Sequence, residues 1–521
     1  MTLVIVHYHL RPGGIRRIIE LATPHLVRNA PRPITKVVIA TGEPADHPWH
    51  DHFAHQLAGV PIAVLVEPSF NYLSEQRGSP ERIITRIRRT VKKLFANSNT
   101  VNCLVWAHNL GVGRNLLLTR ELTAACAGRD IPLVAHHHDW WFDNRWVRWP
   151  EMRRSGVRRL ADAAQAVFPP QNRVLHAAIN HADAAILTRH FGKSALWLPN
   201  FTEAAPLPSL TRIHSAQHWL RSKLGHADAP VWLLPCRTLR RKNIAEALLL
   251  TRWLRPEAWL VVTGAASSAD ELPYFDALKR TAHQHHRRLR LGVLAGKESR
   301  KPSIPELLAA SEAVLLTSIQ EGFGLPYLEA AAAQRPLIAR HLPNIAPDLD
   351  RFGFRFPQAY DEILIAPELF DWPAERARQQ KRFNEWRATL PAFARKRALP
   401  PPVLANARPR TVPFSRLTLT AQLEVLTHPA KETWGACAPL NPWLETWRGR
   451  AAAGKLRVTP WPRRAKSWLD GAAYARRFFA ALTANSGSRP PAFSPVKVQS
   501  DFIASKLDAR NVYPLLWSKN A

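Results

Sequence analysis

"SIQEGFGLPYLEAAAA" (Ser318–Ala333) places two glutamates, Glu321 and Glu329, eight positions apart around a short Gly-Phe-Gly turn. The glycines let the backbone approach a ligand closely, and the proline that follows suits the first turn of a helix. Free N–H groups at the start of such a helix favour an anion, phosphate in particular. Because that anion would repel a carboxylate, we expect the two glutamates to accept hydrogen bonds from neutral hydroxyls beside it, or to act only as helix-end charges. A sugar nucleotide offers such hydroxyls on both its hexose and its ribose.

A second motif, "CRTLRRKN" (Cys236–Asn243), follows a short apolar run that predicts a strand. Arg237 and Lys242 lie five positions apart on the turn that leads into a predicted helix. Ligands of open α/β sheets bind at the carboxyl ends of strands, where a guanidinium and an ammonium could clamp a diphosphate and stabilise it as a leaving group. Arg240 and Arg241 are alternatives for this role, and a loop of four solvated cations is the competing interpretation.

Strand-like and helix-like segments alternate along most of the chain. One series starts at "TLVIVHYH" (Thr2–His9) and a second at "APVWLLPCRTL" (Ala229–Leu239). Such alternation predicts parallel sheets covered by helices on both faces, hence an α/β protein with two doubly wound domains. We expect domains at residues 1–199 and 200–370. Residues 371–521 are predicted to be a proline-rich linker and a helical extension that packs back on the N-terminal domain.

The composition is strongly basic, with 72 Lys+Arg against 40 Asp+Glu and a formal net charge of +32. This charge fits a surface for nucleic acid, anionic lipid or phosphorylated substrates, and it fits equally the general bias of an arginine-rich proteome. The sequence contains no apolar run long enough for a membrane span and no export signal. Its four scattered cysteines fit a reducing compartment. We expect a cytoplasmic protein, with peripheral contact at the inner membrane face left open.

The stretch "HHHDWWFDNRWVRW" (His136–Trp149) invites interpretation as a metal site. In a strand, however, His136 and His138 share a face while His137 points the other way, which does not make a closed tetrahedral set. The sole D-x-D, Asp348–Asp350, is poorly placed for a metal diphosphate, so we predict no metal site. The tryptophans of the stretch could stack on a flat acceptor, but we expect burial for at least half of them.

Together, the Arg-x4-Lys-Asn motif and the E-x7-E motif resemble the retaining GT-B glycosyltransferases of glycosyltransferase family 4. The resemblance covers roughly residues 1–370, is strongest over 229–345, and does not extend into the tail. It implies a GT-B fold, with two facing Rossmann-like domains and a C-terminal extension. The catalytic residues it implies are Arg237, Lys242, Glu321 and His138. The donor-binding residues it implies are Gly13, Gly14, Gly322, Phe323, Gly324, Leu325 and Glu329.

The resemblance gives each of these residues a role. Arg237 and Lys242 would contact the donor diphosphate, Glu321 the hexose, and Glu329 the ribose hydroxyls. His138 would contact the transferred sugar, although a satisfied core histidine remains the alternative. The "LRPGG" turn would be the N-terminal glycine loop of the family, or simply a tight turn.

The implied reaction is transfer of a hexose from a nucleotide diphosphate sugar to an acceptor with retention, without a metal or another cofactor. A sugar phosphorylase of the same fold and a non-enzymatic polyanion-binding protein are the alternatives. The acceptor stays open among a sugar, a phosphorylated small molecule and a glycolipid. Contact with an anionic membrane also stays open, while nucleic acid is disfavoured as a partner.

Overall fold

The computed structural model describes residues 1–143, 146–170, 173–202, 206–226, 228–266, 268–296, 301–485 and 492–517. The chain divides into two compact units. The first unit comprises Met1–Thr202, Thr389–Arg397 and Arg464–Leu507, and the second comprises Glu203–Ala388, Ala398–Arg463 and Asp508–Ala521. The extension predicted for residues 371–521 therefore contributes segments to both units.

The first unit is built on a seven-stranded parallel sheet with the order β3-β2-β1-β4-β5-β6-β7. Its strands are β1 (Thr2–Val6), β2 (Lys36–Thr41), β3 (Ile62–Val66), β4 (Cys103–His108), β5 (Leu133–His137), β6 (Val174–Ala178) and β7 (Ala195–Trp197). Its connecting helices are α1 (Gly14–Asn29), α2 (His47–Gln56), α3 (Pro80–Leu94), α4 (Leu116–Ala127), α5 (Trp149–Met152), α6 (Leu160–Val167) and α7 (His181–Phe191). The central strands β4, β5 and β6 are buried along their whole length, because helices cover both faces of a sheet built this way.

The second unit repeats the architecture with a six-stranded parallel sheet of order β10-β9-β8-β11-β12-β13. Its strands are β8 (Val231–Arg237), β9 (Trp259–Gly264), β10 (Leu289–Arg290), β11 (Ala313–Leu316), β12 (Leu337–Arg340) and β13 (Gln358–Tyr360), and a separate antiparallel pair joins β14 (Leu364–Ile365) to β15 (Val412–Pro413). Its helices up to residue 389 are α8 (Leu210–Leu224), α9 (Ile244–Leu254), α10 (Leu272–Gln284), α11 (Ile304–Ala310), α12 (Leu325–Ala332), α13 (Ala346–Phe352) and α14 (Trp372–Thr389). The predicted α/β class with two doubly wound domains is confirmed.

The extension continues as helices that pack within the two units. These are α15 (Ala392–Arg397), α16 (Leu419–Thr427), α17 (Ala430–Cys437), α18 (Trp443–Ala452), α19 (Lys466–Leu469), α20 (Gly471–Asn485) and α21 (Pro495–Lys506). In the first unit α20 packs on α1, so closely that a β-carbon at Gly471 would clash with the ring of His25. In the second unit α16, α17 and α18 pack on α9. Among the residues described, no helix combines the length and apolar character needed to cross a membrane.

A buried ion pair fixes the edge of the second sheet. Arg340, in β12, is 1% exposed and donates to both carboxylate oxygens of Glu246 in α9, at 2.5 and 2.6 Å. The Tyr360 hydroxyl donates to the same carboxylate at 2.5 Å, and Arg340 also donates to Glu362 at 2.6 Å. A buried carboxylate is tolerated only when it is paired and fully hydrogen-bonded. This network therefore ties α9 to β12 and β13.

Replacing Arg340 by methionine would leave Glu246 without its cation. We expect the free energy of unfolding to fall by about 3–5 kcal/mol, because removing one partner of a buried pair leaves an uncompensated charge. Urea unfolding of the full chain measures the change. Arg355→Met is the matched control, since Arg355 pairs with Asp350 at the surface with 73% of its side chain exposed; its loss should stay below about 1 kcal/mol. Equal losses in the two variants would contradict the role given to Arg340.

Candidate functional site in the second unit

Two loops of the second unit lie side by side at the carboxyl ends of neighbouring strands. Strand β8 pairs with β11, so the loop after each strand leaves the same edge of the sheet. The Thr317 hydroxyl donates to the carbonyls of Lys242 and Asn243 at 3.0 and 3.1 Å, and the Ile319 N–H donates to the carbonyl of Arg241 at 2.9 Å. The two sequence motifs, distant along the chain, are thus joined into one site.

The centre of this site is the carboxylate of Glu321, which lies between two cations. The Lys242 ammonium donates to one carboxylate oxygen, and the Arg241 guanidinium donates to the other at 2.7 Å. The Ser318 hydroxyl adds a third hydrogen bond at 2.6 Å. Burial acts to raise the pKa of Glu321, but Lys242 and Arg241 outweigh it and lower that pKa to about 2. The carboxylate is therefore ionised, and acts as a hydrogen-bond acceptor, throughout the neutral range.

The position of Lys242 follows from the turn that carries it. Arg240–Lys242 form one 3-10 turn, which Asn243 ends in the left-handed region with a φ of 48°. Asparagine adopts this conformation more readily than most residues. Its side chain donates to Glu246 at 2.8 Å and accepts from Gln422 of α16 at 3.1 Å. The turn is therefore held from α9 and from the extension.

The two arginines that the sequence left as alternatives have separate partners. Arg240 points to Glu271, at 3.0 Å, and to the carbonyl of Asp270, at 2.7 Å. Arg241 instead donates to Glu321 and to the carbonyl of Gln320, at 3.1 Å. Arg237 ends β8 with an exposed side chain. Arg241 is thus a site residue that sequence reasoning treated only as an alternative, and its place beside Lys242 in the turn was the available signal.

The Gly-Phe-Gly turn leads into the eight-residue helix α12 as predicted. Gly324 has a φ of 80°, and a β-carbon there would lie 2.8 Å from the Tyr327 ring and 2.9 Å from Ile345. Only glycine fits this position without strain. In the described part of the chain no side chain caps the start of α12. Pro326 has no N–H and the Tyr327 N–H donates to the carbonyl of Gly324 at 3.0 Å, so the anion-binding character expected of a helix start rests on the N–H groups before Pro326.

The remaining predicted residues of this site lie in the turn or in α12. Phe323 is buried, while Gly322, Leu325 and Glu329 are half-buried. Asn344 was not predicted; its side chain donates to the carbonyl of Glu321 at 2.7 Å. No local pattern around Asn344 marks it, because its contact depends on the fold of the loop after β12.

The predicted residues of the first unit lie at the start of α1 and just after β5. Gly13 and Gly14 begin α1 in extended or helical backbone, and a β-carbon on either would meet nothing closer than 3.9 Å. Glycine is therefore not required there for space. His138 follows β5, is 8% exposed, and its backbone N–H donates to the Asn109 side chain at 2.7 Å.

His138 belongs to a cluster of buried histidines. Its Nε2 lies 3.0 Å from Nδ1 of His108, and His136 lies next to both. His137 points to the other face of the sheet, as predicted, where its Nε2 lies 3.2 Å from Nδ1 of His176. Burial lowers the pKa of His136 to about 3, and burial with neighbouring histidines lowers the pKa of His108 and His138 well below 6.5. All three rings are therefore neutral at neutral pH.

The tryptophans after this cluster are core residues. Trp140, Trp141 and Trp146 are at most 1% exposed and Trp149 is 7% exposed. Trp140 stacks on His137 with ring centroids 4.2 Å apart, and its Nε1–H donates to Asp183 at 3.0 Å. The prediction that at least half of them are buried is confirmed, and all four belong to the core.

Comparisons with known proteins match the region of the Glu321 site to glycosyltransferase sequences. The sequence pattern described as glycosyl transferases group 1 matches residues 220–349, which include both loops of the Glu321 site. A mannosylglucosyl-3-phosphoglycerate synthase of Petrotoga mobilis is 25% identical over 373 residues, 70% of this chain and 69% of that protein. A mannosylglucosylglycerate synthase of Thermotoga maritima is 27% identical over 268 residues, 48% of this chain and 60% of that protein.

Solved structures agree in fold. HepE of Anabaena, in complex with UDP and glucose, has a TM-score of 0.50 at 15% identity, covering 93% of this chain and 100% of that one. A glycosyltransferase from Rickettsia africae has a TM-score of 0.50 at 11% identity, covering 94% and 99%. The matched region resembles glycosyl transferases group 1, and the fold is that of the GT-B glycosyltransferases.

Proposed function

We propose that this glycosyltransferase moves a hexose from a nucleotide diphosphate sugar to an acceptor, with retention of the anomeric configuration. The observation that carries the proposal is the position of Glu321 between Lys242 and Arg241, just before the start of α12. A carboxylate suited to sugar hydroxyls and cations suited to phosphates thus lie side by side. A nucleotide diphosphate sugar presents hydroxyls to such a carboxylate and phosphates to such cations.

We assign each residue around Glu321 to one part of the nucleotide sugar. A lysine ammonium has three N–H donors, so Lys242 can hold Glu321 and a phosphate oxygen at once. We assign Arg237 and the N–H groups at the start of α12 to the diphosphate as well. Glu321, kept ionised by its cations, accepts from the hexose hydroxyls, and Glu329 accepts from the ribose hydroxyls.

The chemistry we propose breaks the bond between the anomeric carbon and the diphosphate oxygen and forms a bond to the acceptor oxygen on the same face of the sugar. The departing diphosphate takes the proton of the acceptor hydroxyl. Catalysis then comes from positioning and from stabilising the charge on the leaving group. Because Lys242 and Arg237 supply that positive charge, we propose that the diphosphate needs no metal ion.

The acceptor we propose is a small molecule that carries a carboxylate or a phosphate. The names of the Petrotoga and Thermotoga relatives both contain a glycerate group. The net charge of +32 also favours an anionic partner. A glycolipid at an anionic membrane is the alternative acceptor. The roles of Gly13, Gly14 and His138 stay predictions from the family resemblance.

Replacing Lys242 by alanine should slow sugar release from the donor by about 100-fold or more, as loss of one charge-stabilising donor does in other enzymes. The Glu329→Ala substitution should also slow sugar release, mainly because it weakens binding of the nucleotide sugar. Release of nucleoside diphosphate from the nucleotide sugar measures both effects, and thermal unfolding checks that each variant folds. Lys279→Ala, which removes an exposed lysine of α10, is the matched control and should equal the wild type.

Wild-type rates in both the Lys242→Ala and Glu329→Ala variants would refute the transferase assignment of this site. A polyanion-binding protein would instead show binding to nucleic acid or anionic vesicles whose logarithm falls steeply with the logarithm of salt concentration. Such binding would also be indifferent to Glu329→Ala.

A nucleoside diphosphate that fits the site should stabilise the full chain against heat. At 1,000 times its Kd the gain is about 4 kcal/mol, so a screen of UDP, GDP and ADP by thermal shift should single out one base. Inorganic pyrophosphate separates the roles of the site residues. Glu329→Ala should reduce the shift with the nucleotide but leave the shift with pyrophosphate unchanged, because pyrophosphate has no ribose. Equal shifts for all three bases would contradict selective donor binding.

A further inference from the structure

The outer surface of α3, in the first unit, is strongly basic. This helix contains six lysine and arginine residues and a single acidic residue, Glu81 in its first turn. Its apolar side, with Ile83, Ile87 and Val91, packs into the core of the first unit. All six cations are exposed, and together they define the basic face of α3: Arg82, Arg86, Arg88, Arg89, Lys92 and Lys93. The helix is therefore fixed in the unit by one side and presents positive charge on the other.

Most of this positive charge is not balanced within the protein. Arg86 pairs with Glu67 and Arg88 pairs with Glu121, each at 2.7 Å. In the described part of the chain, no carboxylate lies within ion-pair distance of the other four cations of the face: Arg82, Arg89, Lys92 and Lys93. Four unbalanced charges are thus gathered on a single helix.

The spacing of the cations brings like charges together. Arg82, Arg86, Arg89 and Lys93 follow one another at intervals of four, three and four residues, so they form one line along the helix, roughly 16 Å long at the helical rise. Like charges at these intervals destabilise a helix. The line of cations therefore has an energetic cost in the isolated protein.

The charge distribution of a helix explains only part of the face. Cations in the last turn are favourable, which accounts for Lys92 and Lys93. Arg82 lies in the first turn, where the helix dipole disfavours a cation, and Arg89 lies between like charges on both sides. Among the described residues neither arginine has a compensating carboxylate. An anionic partner outside the chain would offset both costs.

We propose that the basic face of α3 docks this protein on an anionic phospholipid bilayer. Each basic residue close to such a surface strengthens binding. Because α3 lies with its apolar side against the core, its cations share one outer surface, which suits the flat array of lipid phosphates. The apolar side is already buried and does not insert, so the contact is electrostatic and weakens as salt is added.

The other residues of the same surface favour a bilayer over nucleic acid. Besides the cations, the exposed residues of α3 are Glu81 and Thr85. The face therefore lacks the aromatic side chains on which unpaired bases stack, and the asparagine and glutamine side chains that pair with adenine in a duplex. A surface that offers charge alone fits a partner that is recognised by charge alone.

The test is co-sedimentation of the full chain with vesicles of phosphatidylcholine and phosphatidylglycerol in equal parts, and with vesicles of phosphatidylcholine alone. We expect binding only to the anionic vesicles. The test variant combines Arg82→Gln, Arg89→Gln, Lys92→Gln and Lys93→Gln. It should bind about 100-fold more weakly or less, because each basic residue near an anionic surface contributes about fivefold.

The matched control removes the same charge from the second unit. It combines Arg221→Gln in α8, Lys279→Gln and Arg280→Gln in α10, and Lys381→Gln in α14. These four cations are exposed, and no carboxylate lies within ion-pair distance of them in the described part of the chain. The control should bind anionic vesicles as the wild type does. Thermal unfolding checks both variants, and the Arg82→Gln/Arg89→Gln pair replaces the test variant if that variant does not fold.

Failure of the wild type to bind anionic vesicles would overturn the proposal. Equal weakening in the control would also overturn it, because binding would then follow the net charge of the whole chain. Displacement of the vesicles by duplex DNA at equal phosphate concentration would identify nucleic acid as the preferred partner instead. The measurement needs no nucleotide sugar, and the Glu329→Ala variant should bind vesicles normally. The test variant should release nucleoside diphosphate at the wild-type rate, so this outcome is independent of the donor site.

Discussion

The site of the second unit depends on one buried carboxylate that must remain charged. Taking a carboxylate out of water raises the free energy of its ionised form, and only cations within hydrogen-bond distance can reverse that effect. For Glu321 those cations are Lys242 and Arg241, which come from a loop on the neighbouring strand. The pairing of β8 with β11 brings the two loops together, and the turn ended by Asn243 positions Lys242. A shift of either loop would leave a buried charge without its partner.

The sequence predicted the elements of this site because their signals are local. Continuous apolar runs mark buried parallel strands, and glycine before proline marks the start of α12. The choice of partners is not local. Nothing in "RRKN" distinguishes Arg240, which turns to Glu271, from Arg241, which turns to Glu321. The deeply buried Arg340 reads in sequence as an ordinary residue at the end of a strand, and its partner Glu246 lies far away along the chain.

The histidine stretch shows the same limit, because local sequence does not reveal contacts between neighbouring strands. Alternation along one strand predicted that His136 and His138 share a face and that His137 does not, and the structure agrees. The sequence did not show that a third histidine joins this face. The register of β4 against β5 adds His108. Register depends on the whole sheet, so a single stretch of sequence cannot reveal it.

The excess of basic residues has structural uses that do not need an anionic partner. Arg252 donates to the carbonyls of Leu426 and His428 at 3.0 and 2.6 Å, and Arg287 donates to the carbonyl of Leu426 at 3.1 Å. These carbonyls lie at the carboxyl end of α16, where a helix lacks internal donors and carries partial negative charge. Burial lowers the pKa of Arg252 to about 10, which leaves the side chain charged at neutral pH. Arginines of this kind raise the net charge while they attach the extension to the second unit. Part of the net charge of +32 therefore comes from arginines that stabilise the fold. Only the exposed cations can attract an anionic acceptor.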